Sequence, residues 1–111
     1  MELTELFKAM ADNTRIRIVN ILKNGGTLCG CDLESILDIS QVNLSRHTAK
    51  LKSAKIVKAE KKAQWVYFTL NEELLNKYTF LREAFERNIY EDVLKKDLEK
   101  MNIYLKNKKN C

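Results

Sequence analysis

The most constraining feature of this sequence is its shortage of residues that interrupt helices: it has no proline and only three glycines among 111 residues. Because such residues end helices and form tight turns, a chain poor in both favours long helices over sandwiches or barrels. Hydrophobic residues make up 45% and charged residues 32%, which is enough to bury one core. The length predicts a single domain over residues 1–111.

The sequence shows no feature of a membrane or secreted protein. Its apolar runs are too short for a transmembrane helix, and Glu2 and Glu5 stand where a signal peptide would be basic and then apolar. The three cysteines are an odd number, and two of them are one residue apart, so a disulfide framework is not expected. We therefore expect a cytoplasmic protein without a membrane partner.

Hydrophobic periodicity predicts four helices in the first 54 residues. The first carries an apolar stripe, and the second, over 14–23, is apolar around much of its circumference. The third, over 31–37, and the fourth, over 41–54, are joined by a short polar turn that ends in Ser40, a good N-cap. Two helices joined in this way, the second rich in bases, form a helix-turn-helix.

A wing follows the helix-turn-helix. Residues 56–60 and 65–70 have the composition of strands, and the segment between them lacks the Asn-Gly pair of a tight hairpin, so a longer loop is expected. From residue 72 to about 106 the pattern is helical, and a phase shift near residues 88 and 89 leaves one kinked helix or two helices open. The predicted fold class is mainly α with a small β-hairpin: a winged helix-turn-helix of four helices, two strands and a C-terminal helical region.

The C-terminal region carries more large apolar residues than a winged helix alone can cover. Together with the first helix, it is expected to pack against a second copy in a two-fold homodimer, and a helix folded back on its own core is the alternative. The predicted interface residues are Leu3, Leu6, Phe7, Met10, Leu81 and Phe85.

The positive charge of the chain is concentrated in one segment. Residues 39–62 contain seven bases and one acid, a formal charge of +6, whereas the whole chain carries +5. A basic segment on a helix-turn-helix is the footprint of a nucleic-acid surface, and a dimer suits palindromic double-stranded DNA; a solvated charged face is the alternative. The predicted DNA-binding residues are Gln41, Val42, Asn43, Ser45, Arg46, His47, Lys50, Lys52, Lys61 and Lys62.

Individual side chains of the fourth helix suit different parts of DNA. Arg46 matches a guanine edge and Asn43 an adenine edge, whereas Lys50 and Lys52 suit phosphates. His47 is the only histidine. It is expected to hydrogen-bond to a phosphate or to a neighbouring backbone group, and a structural role beside the core is the alternative.

Cys29 and Cys31 lie at the entrance to the third helix, where the helix N-terminus lowers a thiol pKa. Three interpretations stay open: inert buried thiols, a redox pair, or ligands of a soft ion that prefers sulfur. On an ideal helix these side chains point about 200° apart, so binding one ion through both is expected to unwind the first turn. A catalytic cysteine would need a histidine base, and His47 lies on the basic helix, so no enzymatic activity is expected.

Several motifs together resemble the ArsR/SmtB family of winged-helix repressors, especially its arsenic-sensing branch. They are Cys29-Gly30-Cys31-Asp32-Leu33, Ser40-Gln41, Leu44-Ser45-Arg46-His47 and Trp65-Val66-Tyr67-Phe68. The resemblance implies a homodimeric repressor that binds operator DNA and is released when As(III) or Sb(III) binds. It implies that Cys29 and Cys31 are the principal thiolate ligands of this inducer and that there is no catalytic cofactor.

The sequence also departs from that family. Glu34 stands where the branch often has a third cysteine, so water, an exogenous thiol or Cys111 would supply the third ligand. Lys55 replaces a common glycine, so the turn after the fourth helix is expected to be built differently. The sensed ion stays open, with Cu(I) and Cd(II) as alternatives. Two other functions are considered: a DNA-binding regulator of the same fold that responds to thiol oxidation, and a thiol-based protein that handles metal ions.

Overall fold

The computed structural model describes residues 1–87 and 91–108. Within them, the chain forms a mainly helical domain with one small antiparallel sheet. Its elements are α1 Glu2–Met10, α2 Asn13–Gly25, β1 Leu28–Cys29, α3 Gly30–Leu37, α4 Gln41–Ser53, β2 Val57–Lys62, β3 Trp65–Leu70, α5 Glu72–Lys77, α6 Thr79–Arg87 and α7 Asp92–Asn107. The predicted helix-turn-helix is α3 and α4, and the predicted wing is β2 and β3.

The starts of α2 and α4 are fixed by side-chain caps. The Asp12 carboxylate accepts a hydrogen bond from the backbone N–H of Arg15 at 2.9 Å, and the Ser40 hydroxyl accepts one from that of Asn43 at 3.1 Å. Because the first N–H groups of a helix have no partner within the helix, such caps determine where it begins. At the other end of α2, Gly26 takes a φ of 77°, which ends the helix.

The sheet contains one strand that the sequence analysis missed. Its order is β1-β3-β2, with Leu28 opposite Phe68 and Cys29 opposite Tyr67. β1 has only two residues, too short for an alternating pattern to mark it. It nevertheless ties the start of α3 to the wing.

Two turns adopt conformations that the sequence argued against. β2 and β3 pair as far as Lys62 and Trp65, so the loop is a two-residue turn with Ala63 at a φ of 56°, and the expectation of a longer loop is wrong. Lys55 takes a φ of 64°, so the turn after α4 keeps a left-handed residue without glycine. The Lys55 carbonyl accepts a hydrogen bond from the Asn71 amide at 2.9 Å, a contact that helps to hold this turn.

The core is built around α2, as its apolar circumference predicts. Ile18, Val19, Ile21 and Leu22 are all buried, and α1, α3, α4 and α7 pack around them. Between α5 and α6 the helical stretch breaks at Tyr78, so the C-terminal region forms three helices within the described residues instead of one or two. The phase shift near residues 88 and 89 lies outside the described residues.

α7 folds back onto α2 and α3. Leu94 and Met101 are buried there, and the Asp97 carboxylate, only 2% exposed, accepts two hydrogen bonds from the Arg17 guanidinium at 2.7 and 3.0 Å. A Cβ on Gly25 would come within 2.9 Å of the Met101 sulfur, so the glycine allows this close approach. α7 therefore covers its apolar stripe with the core of its own chain, the arrangement that sequence analysis treated as the alternative.

Replacing Asp97 with alanine tests the attachment of α7. The change leaves the Arg17 guanidinium, which is 25% exposed, without its partner, so the free energy of unfolding should fall by about 2–3 kcal/mol. Glu83→Ala, which removes an exposed pair with Arg87, should change it by less than about 0.5 kcal/mol. Urea unfolding followed by circular dichroism measures both. Equal effects would contradict the assigned role of the pair.

Candidate functional site

α4 has one buried face and one exposed face. Leu44, Thr48 and Leu51 point into the core. The opposite face carries the polar and basic residues that the sequence analysis assigned to DNA. Those that the structure leaves exposed are Gln41, Val42, Asn43, Ser45, Arg46, Lys50 and Lys52. The exposed face is therefore free to enter a groove of DNA.

The N-terminal half of α4 carries a preorganised pair. The Arg46 guanidinium donates a hydrogen bond to the Asn43 amide oxygen at 3.2 Å. Val42 lies beside them with its side chain 77% exposed. Arginine is the side chain that best matches a guanine edge in the major groove, so this part of α4 has the chemistry to read bases.

His47 lies away from the exposed face. Its Nδ1 atom is 3.2 Å from Nη1 of Arg15, which donates, and 3.6 Å from the Asp12 carboxylate, and the side chain is only 13% exposed. Burial raises the pKa of Asp12, but the hydrogen bond from the Arg15 N–H and the charge of Arg15 outweigh it and lower that pKa. His47 thus joins α4 to the start of α2, the structural role that the sequence analysis held as the alternative.

The wing carries further exposed basic residues. Lys61 and Lys62 are exposed near the tip, and the Lys62 ammonium lies 5.8 Å from the centre of the Tyr67 ring. Between the wing, α4 and the start of α3 runs an open groove of about 380 Å³, with Cys31 and Trp65 among its lining residues. Lys52 of α4 and Cys31 therefore line the same groove.

The two cysteines of the helix-turn-helix converge at the start of α3. Cys29 is fully buried and has an extended backbone, with φ −81° and ψ 164°, while Cys31 is half-buried in the first helical turn. Their Cα atoms are 5.4 Å apart, and the structure joins their sulfurs in a disulfide. Sequence analysis did not expect a disulfide framework, but it kept a redox pair open as one of three interpretations. It assumed helical geometry for both cysteines when it expected ion binding to unwind the first turn, whereas in the structure Cys29 precedes α3 and has an extended backbone.

Asp32 is the buried centre of this site. Its carboxylate is fully buried and accepts hydrogen bonds from the Cys29 N–H at 2.9 Å, from the Tyr104 hydroxyl at 2.8 Å and from the Lys108 ammonium at 3.0 Å. Burial and the Asp32 carboxylate raise the pKa of Tyr104, which keeps its hydroxyl protonated and able to donate. The carboxylate therefore links the start of α3 to the end of α7.

The donor atoms of this cluster suit a soft ion. One ligand atom each from Cys29, Cys31 and Asp32 lies within 4.8 Å of the others. Once the two cysteines are reduced, their convergent thiols offer the sulfur ligands that soft ions prefer. The Asp32 carboxylate already accepts hydrogen bonds from Cys29, Tyr104 and Lys108. Cys111, the predicted third ligand, lies outside the described residues. Sequence analysis missed Tyr104 and Lys108, because they are 72 and 76 residues away from Asp32 in the chain.

The residues predicted for a dimer interface fall into two groups. Leu6, Leu81 and Phe85 are buried in the core of the chain itself, and Met10 is half-buried. Leu3 and Phe7 are exposed, and the Phe7 ring stacks on Phe80, also exposed, with centroids 5.5 Å apart. The described residues thus carry an exposed apolar patch, made of Leu3, Phe7 and Phe80, on α1 and α6.

No helix in residues 1–87 or 91–108 has the length and apolar character needed to cross a membrane.

Comparison with known proteins identifies related sequences. Residues 12–59 match the sequence profile of a family described as bacterial regulatory protein, arsR family. The chain is 33% identical over 109 residues to the arsenical resistance operon repressor of Escherichia coli (strain K12), covering 96% of this chain and 86% of the relative. It is 42% identical over 69 residues to the arsenic resistance transcriptional regulator ArsR1 of Pseudomonas putida, covering 62% of this chain and 54% of that relative. The chain therefore spans about half the length of ArsR1.

A solved structure shows the same fold. Reduced HlyU from Vibrio cholerae matches with a TM-score of 0.66 and 32% identity, over 79% of this chain and 85% of that chain. This similarity supports the winged helix-turn-helix fold. The two sequence relatives are named as a repressor and a transcriptional regulator and not as enzymes.

Replacing Asp32 with alanine tests the link between α3 and α7. Loss of the acceptor leaves the buried Cys29 N–H and the half-buried Tyr104 hydroxyl without this partner, so the free energy of unfolding should fall by about 2–4 kcal/mol. Amide hydrogen exchange should also accelerate over residues 104–108. Glu99→Ala, at an exposed position of α7, is the matched control and should leave both quantities nearly unchanged. Unaltered exchange in Asp32→Ala would show that the carboxylate does not hold the end of α7.

Proposed function

This chain belongs to the ArsR family of bacterial regulatory proteins, and we propose that it is a metalloid-responsive transcriptional repressor in the cytoplasm. It binds operator DNA as a homodimer and leaves the DNA when As(III) or Sb(III) binds the thiolates of Cys29 and Cys31. The observation that carries the proposal is the convergence of two cysteines at the start of α3, next to an α4 whose outer face is exposed and basic.

In the proposed complex, α4 enters the major groove. Arg46 contacts a guanine edge there, while Lys50 and Lys52 contact the phosphates on either side. Lys61 and Lys62 of the wing contact the neighbouring backbone. These charges belong to the segment of formal charge +6, which supports strong and salt-sensitive binding.

In the proposed dimer, the two-fold axis passes beside the exposed patch of Leu3, Phe7 and Phe80. Leu6, Leu81 and Phe85 lie beneath it and give it a rigid support. A two-fold interface brings the same patch from both copies together, and it sets two α4 helices in a symmetric arrangement that suits a palindrome. The sequence assigned the C-terminal part of the dimer interface to the region 72–106. Within this region we place the interface on α6, because α7 packs its apolar stripe against the core of its own chain.

The inducer site is close enough to α4 to influence it directly. α3 packs against α4, and Gly30, Cys31 and Leu44 line the same groove. As(III) bonds to thiolate sulfur, and Cys29 and Cys31 would hold it at this contact. Any adjustment of the start of α3 to the bound ion must then be taken up by α4, with a coupling free energy of typically 1–3 kcal/mol.

Cys111 is the candidate for the third ligand. Lys108 is held by the Asp32 carboxylate beside Cys31, and three residues of chain reach at most about 11 Å. Cys111 itself lies outside the described residues, and it is proposed because it is the one further thiol in the sequence. Counting the thiols that bound arsenite protects from alkylation tests this: three per chain identifies Cys111, and two leaves the third position to water or an exogenous thiol.

The disulfide favours a second candidate function, a regulator of the same fold that responds to thiol oxidation. The Cys29–Cys31 bridge shows that the backbone brings the two sulfurs together without further movement. Operator binding by the oxidised and the reduced protein, compared in the absence of any metal ion, separates this function from metalloid sensing.

The cysteine variants test the inducer site. Cys29→Ser and Cys31→Ser should each keep the DNA affinity of the reduced wild-type protein, because α4 is unchanged, and should lose release by arsenite. The measurement is fluorescence anisotropy of a DNA site selected from a random library, titrated with arsenite under reducing conditions. If arsenite still released both variants from DNA normally, the inducer site would lie elsewhere. The two cysteines would then have only a packing role.

The basic face of α4 makes a separate prediction. Arg46→Ala should weaken binding to the selected site by about 1–3 kcal/mol and relax base preference at one position, because a bidentate contact is lost. Lys61→Ala should weaken binding evenly across sequences and reduce the dependence of affinity on salt. If Arg46→Ala kept full affinity and selectivity, the assignment of α4 as the recognition helix would be wrong.

The oligomeric state makes the last prediction of this section. Sedimentation equilibrium at micromolar concentration should give about twice the chain mass of 13.0 kDa. Phe7→Glu should shift the protein toward the monomer, because it places a charge in the patch, whereas Val93→Glu, at an exposed apolar residue of α7, should not. A Phe7→Glu protein that stays fully dimeric would place the interface on another face.

A further inference from the structure

Val42 is an apolar side chain on a face otherwise made of polar and basic groups. It is the second residue of α4, and its side chain is 77% exposed. Leaving a valine in water contributes nothing to folding, and valine is a poorer helix former than alanine. The exposed methyl groups are therefore available for contact with a ligand of the basic face.

The neighbours of Val42 are arranged for contact with bases. Arg46 lies one helical turn further on and on the same stripe, and it is held by the Asn43 amide oxygen at 3.2 Å. The side chain of Val42 thus stands near the Arg46 guanidinium, at the end of α4 whose backbone is capped by Ser40. An apolar group in this position meets the edges of base pairs if Arg46 does.

Only one base offers an apolar group in the major groove: thymine, through its 5-methyl group. Val42 and Arg46 are about 6 Å apart along the helix axis, which corresponds to one or two base steps of about 3.4 Å. We infer that Val42 reads the methyl group of a thymine that lies one or two base pairs from the guanine bound by Arg46 in each half-site. This inference rests on the proposed function and adds a specificity-determining residue to it.

Deoxyuridine provides the test, because it differs from thymidine only by the missing 5-methyl group of the base. In the DNA site selected from a random library, each thymine of a half-site is replaced in turn by deoxyuridine. The wild-type protein should lose about fourfold in affinity at one position, the effect of one buried carbon. Val42→Ala should bind the thymine and deoxyuridine forms of that position equally while keeping its preference for the guanine.

Two further variants keep the test independent of folding. Val42→Thr retains one of the two methyl groups and should retain part of the discrimination. Ile103→Ala, at an apolar residue of α7 that is 64% exposed, should retain all of it. Circular dichroism confirms that each variant is folded.

The outcomes separate this inference from the proposed function. Sequence-specific binding with no loss at any deoxyuridine position, or the same loss in Val42→Ala as in the wild-type protein, overturns the role of Val42 and leaves the repressor proposal standing. Failure to select any DNA sequence overturns both.

Discussion

The buried carboxylate of Asp32 is the interaction on which the arrangement of the thiol site depends. It holds the N–H of Cys29 at the start of α3 and, on its other side, Tyr104 and Lys108 of the C-terminal segment. A fully buried carboxylate is tolerated only where such donors surround it. The two cysteines are therefore positioned by a network that spans most of the chain, and the local sequence of a loop is not enough to place them.

This network also determines which helices adjoin the proposed ion site at Cys29 and Cys31. α3 packs against α4, with Gly30 and Leu44 lining one groove, and its start is tied to α7 through Asp32. An ion bound to Cys29 and Cys31 would therefore sit between the helix proposed to read DNA and the helix that closes the core. Because packed interiors do not deform continuously, a change at this junction is passed to both helices. Cys31 and Lys52 of α4 line the same groove, so the proposed coupling needs no extended pathway.

The sequence predicts the parts of the fold that depend on local patterns. The helix-turn-helix, the wing and the two faces of α4 follow from periodicity, a capping serine and concentrated charge. The features that the sequence analysis held only as alternatives depend on contacts between distant residues: Arg17 attaches α7 through Asp97, 80 positions away, and His47 joins Arg15, 32 positions away. The extended backbone of Cys29 was missed for another reason. It results from the pairing of β1 with β3, whereas the sequence pattern placed Cys29 at the entrance of a helix.

The central claim is that the thiol site and the DNA-binding surface are coupled, and linkage provides its most direct test. If arsenite weakens operator binding by a given factor, operator DNA must weaken arsenite binding by the same factor. The measurement is the affinity of the reduced protein for As(III), by isothermal titration calorimetry, with and without saturating operator DNA. The account predicts an affinity lower by about 5- to 150-fold on the operator. Equal affinities in the two titrations would contradict it.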